Sequence, residues 1–296
     1  MLNLNGVFPP IPTSFGPDED LALDKIQDNI RRLSRYDLAG FLVLGSNGEK
    51  VMLSDNEKRQ VFDAARAAIP RGKLMLAGTG EQSTRATIGQ TRSAADAGAD
   101  AALVLNPSYY RGLMTRAALV SHYTAVAEAS PIPVIIYNMP ACSGLDLTAE
   151  AVIELSSHPN IIGIKDSGGD ITKMGEIVRG AEPDFQVLAG SAGFMLPALS
   201  VGAVGAIVAL ANIAPELCLA LYRAFFDGDP DRARELQFRI IPLNRAVTSG
   251  GGVPALKTAM DCLGLYGGPA RRPIQPLTAA EKAQLVVLLE ENAIRL

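Results

Sequence analysis

The chain has 296 residues with a formal net charge of -4, a hydrophobic fraction of 48%, 28 glycines and 19 prolines. That length holds one large barrel or two modest domains, and the composition is globular rather than disordered. The mild acidity leaves no footprint for nucleic acid, and three scattered cysteines with only two histidines argue against a disulfide framework or a His-based metal centre.

Met1-Leu2-Asn3-Leu4 carries no cationic leader, and the longest apolar run, Ala203–Ala211, falls short of the ~20 residues of a membrane helix. A soluble, cytoplasmic protein is expected, with no membrane or nucleic-acid partner.

Apolar strand-like segments recur along the chain at Gly6-Val7-Phe8 onward, Gly40–Ser46, Leu74–Gly80, Ala101–Asn106, Pro133–Tyr137, Ile161–Lys165, Phe185–Gly190 and Ala203–Leu210. Their continuous apolar character suits strands covered on both faces. Helical patterns fill most gaps, at Leu23–Tyr36, Asp55–Ile69, Arg85–Ala97, Arg116–Ala129 and Ala149–Ser156. Ser54 with Glu57 forms a capping box, Thr148 is a helix cap, and Gly98 ends a helix. This alternation predicts an α/β fold, a (β/α)8 TIM barrel; no GxGxxG follows the first strand to favour an open doubly wound sheet. Beyond Ala211, Pro215–Phe226, Pro230–Ile240, Pro254–Leu263 and Thr278–Ile294 read as helices without strands, with Gly250-Gly251-Gly252 as the loosest linker. The expected organisation is a catalytic barrel over 1–228 and a C-terminal helical domain over 229–296.

Reactive groups of such barrels lie at the C-terminal ends of strands. Lys165 ends the sixth strand, where alternation places Ile161, Gly163 and Lys165 on one face. Burial favours the neutral form of an amine, and a neutral amine condenses with ketones to an imine. The bland alternative is a structural lysine paired with Asp166. Tyr137 ends the fifth strand and suits proton transfer, or else simply closes the barrel as an aromatic plug. Ser46 and Asn47 suit a substrate carboxylate, or cap the next helix.

These residues resemble the dihydrodipicolinate synthase/N-acetylneuraminate lyase superfamily of class I aldolases from Gly6 to about Arg272. The resemblance rests on Gly45-Ser46-Asn47-Gly48-Glu49, Tyr137-Asn138-Met139-Pro140 and Lys165. It implies the barrel with its helical extension, a Schiff base at Lys165 and a proton-relaying Tyr137. It further implies a relay hydroxyl at Ser46, a Tyr109 inserted into a neighbouring subunit, and Ile207 bordering the pyruvate moiety. A homotetramer built as a dimer of dimers is expected, with no cofactor and no metal.

Longer strings resemble the 4-hydroxy-2-oxoglutarate aldolase branch: Tyr109-Tyr110-Arg111-Gly112, Lys165-Asp166-Ser167-Gly168-Gly169-Asp170, Leu188-Ala189-Gly190-Ser191-Ala192-Gly193-Phe194 and Ala209-Leu210-Ala211-Asn212. Where the synthases keep an arginine that grips the aldehyde's carboxylate, this chain has Cys142. The expected reaction is cleavage of a 4-hydroxy-2-oxo acid, 4-hydroxy-2-oxoglutarate, to pyruvate and glyoxylate. Asn47 with Ser46 would hold the 1-carboxylate, while Ser167, Gly190 and Ser191 shape the pocket. Backbone donors, Ser143 or Arg111 are candidates for the distal carboxylate. Alternatives are condensation of pyruvate with aspartate semialdehyde, a 2-keto-3-deoxy sugar acid aldolase, a metal-dependent barrel enzyme, or a catalytically silent barrel.

Overall fold

The computed structural model describes residues 2–295. Its strands are β1 (Gly6–Phe8), β2 (Pro10–Ile11), β3 (Gly40–Val43), β4 (Leu74–Gly78), β5 (Ala101–Leu105), β6 (Val134–Asn138), β7 (Ile161–Asp166), β8 (Gln186–Ala189) and β9 (Gly205–Ile207). All pairings are parallel, in the order β1-β9-β8-β7-β6-β5-β4-β3-β2. β1 and β2 are one stave interrupted at Pro9, which has no N–H to give. The Val7 and Pro9 carbonyls still accept from Ala39 and Leu42 at 3.1 and 3.0 Å, so the stave joins β9 to β3 and the barrel closes.

Both strand faces are dry, for different reasons. Leu4, Phe8, Leu42, Leu76, Leu103, Ile135, Leu188 and Ile207 fill the barrel interior. A larger shell, including Val7, Phe41, Val43, Val104, Ile136 and Ile164, packs against the helices. Parallel strands buried twice over therefore appear as unbroken apolar runs.

The helices between strands are α1 (Leu23–Leu33), α2 (Asp55–Ala68), α3 (Thr84–Asp96), α4 (Arg116–Ala129), α5 (Pro140–Ser143), α6 (Ala149–Ser156), α7 (Ile171–Gly180) and α8 (Met195–Ser200). The Ser54–Glu57 capping box is present, Thr148 caps α6, and Gly98 follows α3 in the left-handed region at φ 86°. The strands were expected to run to Ser46 and to Leu210. Instead β3 stops at Val43, because Leu44 adopts φ 57° and Ser46–Gly48 coils into a 3-10 turn. β9 likewise ends at Ile207 before a second such turn at Ala209–Asn212.

The expected common face of Ile161, Gly163 and Lys165 is also corrected. The β6–β7 register shifts, so that Val134 faces Ile161 but Ile135 faces Gly163. Ile161 therefore joins the outer shell and Ile162 the interior, and alternation resumes only from Gly163.

The C-terminal helices are α9 (Pro215–Phe226), α10 (Pro230–Arg245), α11 (Gly252–Cys262) and α12 (Ala279–Glu291). α10 was expected to end at Ile240, but Pro242 removes one donor without breaking it. A five-residue π turn, Ala246–Gly250, follows, and α11 begins at Gly252; the glycine run is a helix junction rather than a loose linker. Leu236, Ile240, Leu243, Leu256 and Met260 of these helices belong to the same apolar cluster as the barrel's outer shell. No helix among the described residues is long and apolar enough to cross a membrane.

Candidate active site

Lys165 of β7 and Tyr137 of β6 are register partners on adjacent strands. Both side chains point into the barrel, with only 3% and 4% exposed. The Lys165 ammonium nitrogen lies 4.3 Å from the centre of the Tyr137 ring, a cation–π distance. The Tyr137 hydroxyl in turn lies 3.1 Å from Ser46 Oγ, so Tyr137 has the amine over its ring and the alcohol at its hydroxyl. Among the described residues Lys165 makes no ion pair. Asp166 points to the opposite strand face, as consecutive strand residues must, and pairs with Lys173 at 3.0 Å.

A cavity of about 250 Å³ opens at the Ser46–Tyr137 end of this group, lined by Gly45, Ser46, Lys50, Gln82, Tyr137 and Cys142 among others; Lys165 lies beneath Tyr137 and does not line it. Its edge is the turn that β3 launches. Leu44 and Glu49, both non-glycine residues in the left-handed region, flank Gly45–Gly48 at φ 57° and 51°. Such conformations cost on the order of 1–3 kcal/mol each and persist only where surroundings enforce them. At Leu44 the enforcement is close packing, since a Cβ on Gly78 would stand 2.0 Å from the Leu44 carbonyl oxygen. The Asn47 side chain makes no hydrogen bond among the described residues and is half-buried beside Ser46.

On the opposite side, Gly190 N donates to the Asp166 carbonyl at 2.7 Å and Ser167 N to that of Asn138 at 2.9 Å. Ser167 Oγ lies so near Gly190 that a Cβ there would meet it at 2.0 Å. Ser191 Oγ accepts from Gly193 N and from Asn244 Nδ2 of α10 at 3.3 and 3.0 Å. Ile207 is wholly buried in the barrel interior. Tyr109 is not brought to this group within one chain. It is 79% exposed on the loop after β5, where Gln82 Oε1 accepts from Ser108 N and Tyr109 N.

The chain matches the sequence profile of the Dihydrodipicolinate synthetase family over residues 3–292. It belongs to that family. Over 283 residues it is 38% identical to a 4-hydroxy-tetrahydrodipicolinate synthase of Methanothrix thermoacetophila, covering 95% of this chain and 94% of that one. Over 292 residues it is also 38% identical to a protein of Emericella nidulans named probable 4-hydroxy-2-oxoglutarate aldolase, mitochondrial, covering 97% and 94%. Among solved structures, YagE of E. coli K12, a prophage protein of this family in complex with pyruvate, superposes with a TM-score of 0.93 at 30% identity, covering 99% of this chain and 100% of that one. Dihydrodipicolinate synthase DapA-2 of Bacillus anthracis superposes with a TM-score of 0.94 at 28% identity, covering 98% and 99%. This dihydrodipicolinate synthetase family member is accordingly a pyruvate-dependent lyase of the Schiff-base, class I aldolase type.

The fold of this chain carries a buried charge cluster behind the site that the sequence did not disclose. Asn138 Nδ2 donates to Asp166 Oδ2 at 2.9 Å and Asp146 Oδ1 at 2.7 Å, and Lys173 pairs with both carboxylates. Burial alone would lower the Lys173 pKa, but Asp146 and Asp166 outweigh it and raise it. This cluster ties the chain after Tyr137 to the chain after Lys165. At the cavity wall, Lys50 pairs with Glu81 at 2.7 Å and also donates to the Gly80 carbonyl. Burial lowers the Lys50 pKa against the opposing pull of Glu81.

The strained turn is held from the far side by the C-terminal extension. Glu49 pairs with Lys257 of α11 and accepts from Arg271 N at 2.8 Å. Arg271 also donates to the Met52 carbonyl and to Glu57, whose carboxyl that hydrogen bond lowers to about 2. Glu49 closes the motif Gly45-Ser46-Asn47-Gly48-Glu49 and Lys50 follows it. Their partners lie up to 222 positions away, and no local pattern could reveal them.

Proposed function

We propose that this enzyme cleaves 4-hydroxy-2-oxoglutarate to pyruvate and glyoxylate, with Lys165 forming the imine. The observation that carries the chemistry is a lysine without an ion pair among the described residues, packed against Tyr137, whose hydroxyl meets Ser46 at 3.1 Å. Lys165 attacks the C2 ketone and expels water, giving a protonated imine. Tyr137 takes the C4 hydroxyl proton, the C3–C4 bond breaks with release of glyoxylate, and its electron pair enters the imine as an enamine. Protonation at C3 and hydrolysis return pyruvate and the free amine. Ser46 and Asn47, at the start of their turn, hold the 1-carboxylate, and Ser167, Gly190, Ser191 and Ile207 border the pyruvate moiety. The imine supplies the electron sink, so the mechanism needs no cofactor.

The substrate choice is supported by Ser46-Asn47 and by Cys142, which lines the cavity where a synthase arginine is expected. Likeness to the Emericella nidulans protein at 38% agrees with it. The equal likeness to the Methanothrix thermoacetophila enzyme favours a second reading, condensation of pyruvate with aspartate semialdehyde. Exposure of Val51, Tyr109, Tyr110 and Leu113 beside the mouth supports a homotetramer of tight dimers, with Tyr109 reaching the neighbour's Tyr137–Ser46 relay.

Incubation with pyruvate and borohydride, followed by peptide mass mapping, tests the imine: a pyruvyl adduct on Lys165 is expected, and one on Lys173 or Lys257 sinks the assignment. Comparing cleavage of 4-hydroxy-2-oxoglutarate with condensation onto aspartate semialdehyde then separates the two substrates. Cleavage is expected to dominate and to resist EDTA.

A further inference from the structure

A dicarboxylic aldol substrate needs a positive group for its distal carboxylate, and the cavity lining offers one cation, Lys50. Its charge is already met by Glu81, and its ammonium also donates to the Gly80 carbonyl. Ser143 is no substitute: it is buried, and its hydroxyl is engaged with the carbonyls of Met139 and Leu145 at 3.1 and 2.9 Å. Cys142, between these positions, carries no charge-assisted donor.

One guanidinium does reach this loop. Arg111, in a 3-10 turn at Arg111–Leu113 after β5, lays its side chain over Gly144. A Cβ on Gly144 would stand 2.5 Å from Arg111 Nη1 and 3.3 Å from Cζ. Gly144 also sits at φ 66°, so the loop turns there and leaves bare backbone for the guanidinium to rest on. The acidic groups nearby are committed elsewhere, Glu81 to Lys50 and Lys58, and Asp146 to Lys173. Among the described residues the exposed Arg111 guanidinium makes no ion pair and no hydrogen bond, while the residue's carbonyl accepts from Met114 N at 3.1 Å.

We propose that Arg111, lying over Gly144, binds the distal carboxylate of the aldol substrate and so selects a dicarboxylic acid. The positive fork comes from the loop after β5 instead of from position 142 in the loop after β6, and Gly144 is the residue that makes room for it. The inference rests on the dicarboxylate reading above. An arginine fork meets a carboxylate through two parallel N–H donors, which a lysine cannot reproduce.

The experiment compares kcat/KM for 4-hydroxy-2-oxoglutarate with that for 4-hydroxy-2-oxopentanoate, which has a methyl group in place of the distal carboxylate. Wild type should prefer the dicarboxylate at least tenfold. Arg111→Met should lower that ratio by about ten- to hundredfold, chiefly through KM, as loss of a charged hydrogen-bonded contact does. Arg111→Lys should keep part of the preference, whereas Gly144→Ala, which displaces the guanidinium, should lower the ratio as Arg111→Met does. Borohydride trapping of pyruvate on Lys165 in each variant verifies that the barrel is folded and imine chemistry intact. A wild-type preference left unchanged by Arg111→Met overturns the role of Arg111 while leaving the substrate reading standing. A wild type without the preference overturns both.

Discussion

Glu49 and Lys257 meet at 2.5 Å with 1% of each side chain exposed, one closing the strained turn that carries Ser46, the other on the C-terminal helix α11. Burial presses the Lys257 pKa down, and the Glu49 carboxylate opposes that pressure. Removing either partner strands the other in a dry site, where an unpaired charge costs about 3–5 kcal/mol. Lys257→Met should therefore lower stability by roughly that amount in urea titration. It should also slow cleavage more than the stability loss explains, because Glu49 loses what holds it at φ 51°. Substituting both residues with apolar groups of similar size should recover stability but not activity. Recovery of both would show that the pair holds the fold alone.

In the proposed mechanism the Ser46–Tyr137 hydroxyl pair acts in bond cleavage and not in imine formation, so the two steps can be tested apart. Tyr137→Phe keeps the ring that packs on Lys165 and deletes the oxygen that meets Ser46. General acid–base groups contribute about 10²–10⁴-fold, so kcat should fall by that factor with little change in KM. Pyruvate trapping on Lys165 should persist. Ser46→Ala leaves the phenol in place and should cost less, about tenfold. A Tyr137→Phe enzyme with near-normal kcat would remove Tyr137 from the proton relay.

His122 gives the fold an acid sensitivity unrelated to the active site. It lies on α4 with Nδ1 2.9 Å from Thr84 Oγ1, while its buried Nε2 has no hydrogen-bond partner among the described residues. Burial lowers its pKa from 6.5 to about 4. A folded-state pKa below the unfolded value means that the unfolded chain takes up the proton first. This group's contribution is therefore complete above pH 6.5 and is lost as pH falls from 6.5 towards 4. At about 1.4 kcal/mol per pH unit, the loss by pH 5 is about 2 kcal/mol. Urea midpoints at pH 7.5 and 5 should show it, and His122→Gln should flatten the difference. An unchanged slope in that variant would assign the acid sensitivity to other groups.

The parts legible in the sequence were those that depend on near neighbours. Continuous apolar runs report strands buried on both faces, and the Ser54–Glu57 spacing reports its own capping box. Helices α4, α6 and α9 keep the expected bounds because their caps or an N1 proline sit within one turn. Strand ends were misjudged where conformation depends on a distant contact. Leu44 turns left-handed because Gly78, on another strand, admits its carbonyl, and nothing in Leu44-Gly45-Ser46 announces it. The face of Ile161 was misread because the β6–β7 register shift involves two strands at once. In the site, Lys165, Tyr137 and Ser46 were legible from position and motif. Lys173, Lys257 and Arg271 were not, since a lysine or arginine on a helix is ordinarily solvated and only the fold brings its carboxylate near.

Two glycines make opposite predictions, because space around a glycine decides what a methyl group does there. Gly89 lies exposed within α3, and a Cβ at that position meets nothing within 4 Å. Alanine loses less backbone freedom on folding, so Gly89→Ala should stabilise by about 0.5–1 kcal/mol, with activity unchanged. Gly78 ends β4 beneath the cavity edge, where a Cβ would stand 2.0 Å from the Leu44 carbonyl oxygen and 2.7 Å from its carbon. Those are backbone atoms of a residue already at φ 57°, so no side-chain rotation relieves the clash. Gly78→Ala must push the Leu44–Gly45 segment outward, carrying Ser46 away from the Tyr137 hydroxyl. Its expected signature is a fall in kcat resembling Ser46→Ala together with a loss of about 1–3 kcal/mol in stability. Measuring both variants by urea titration and steady-state cleavage checks the pair. A Gly78→Ala protein as active as Gly89→Ala would mean that the turn tolerates displacement, and that the left-handed Leu44 is not what holds Ser46 in reach of Tyr137.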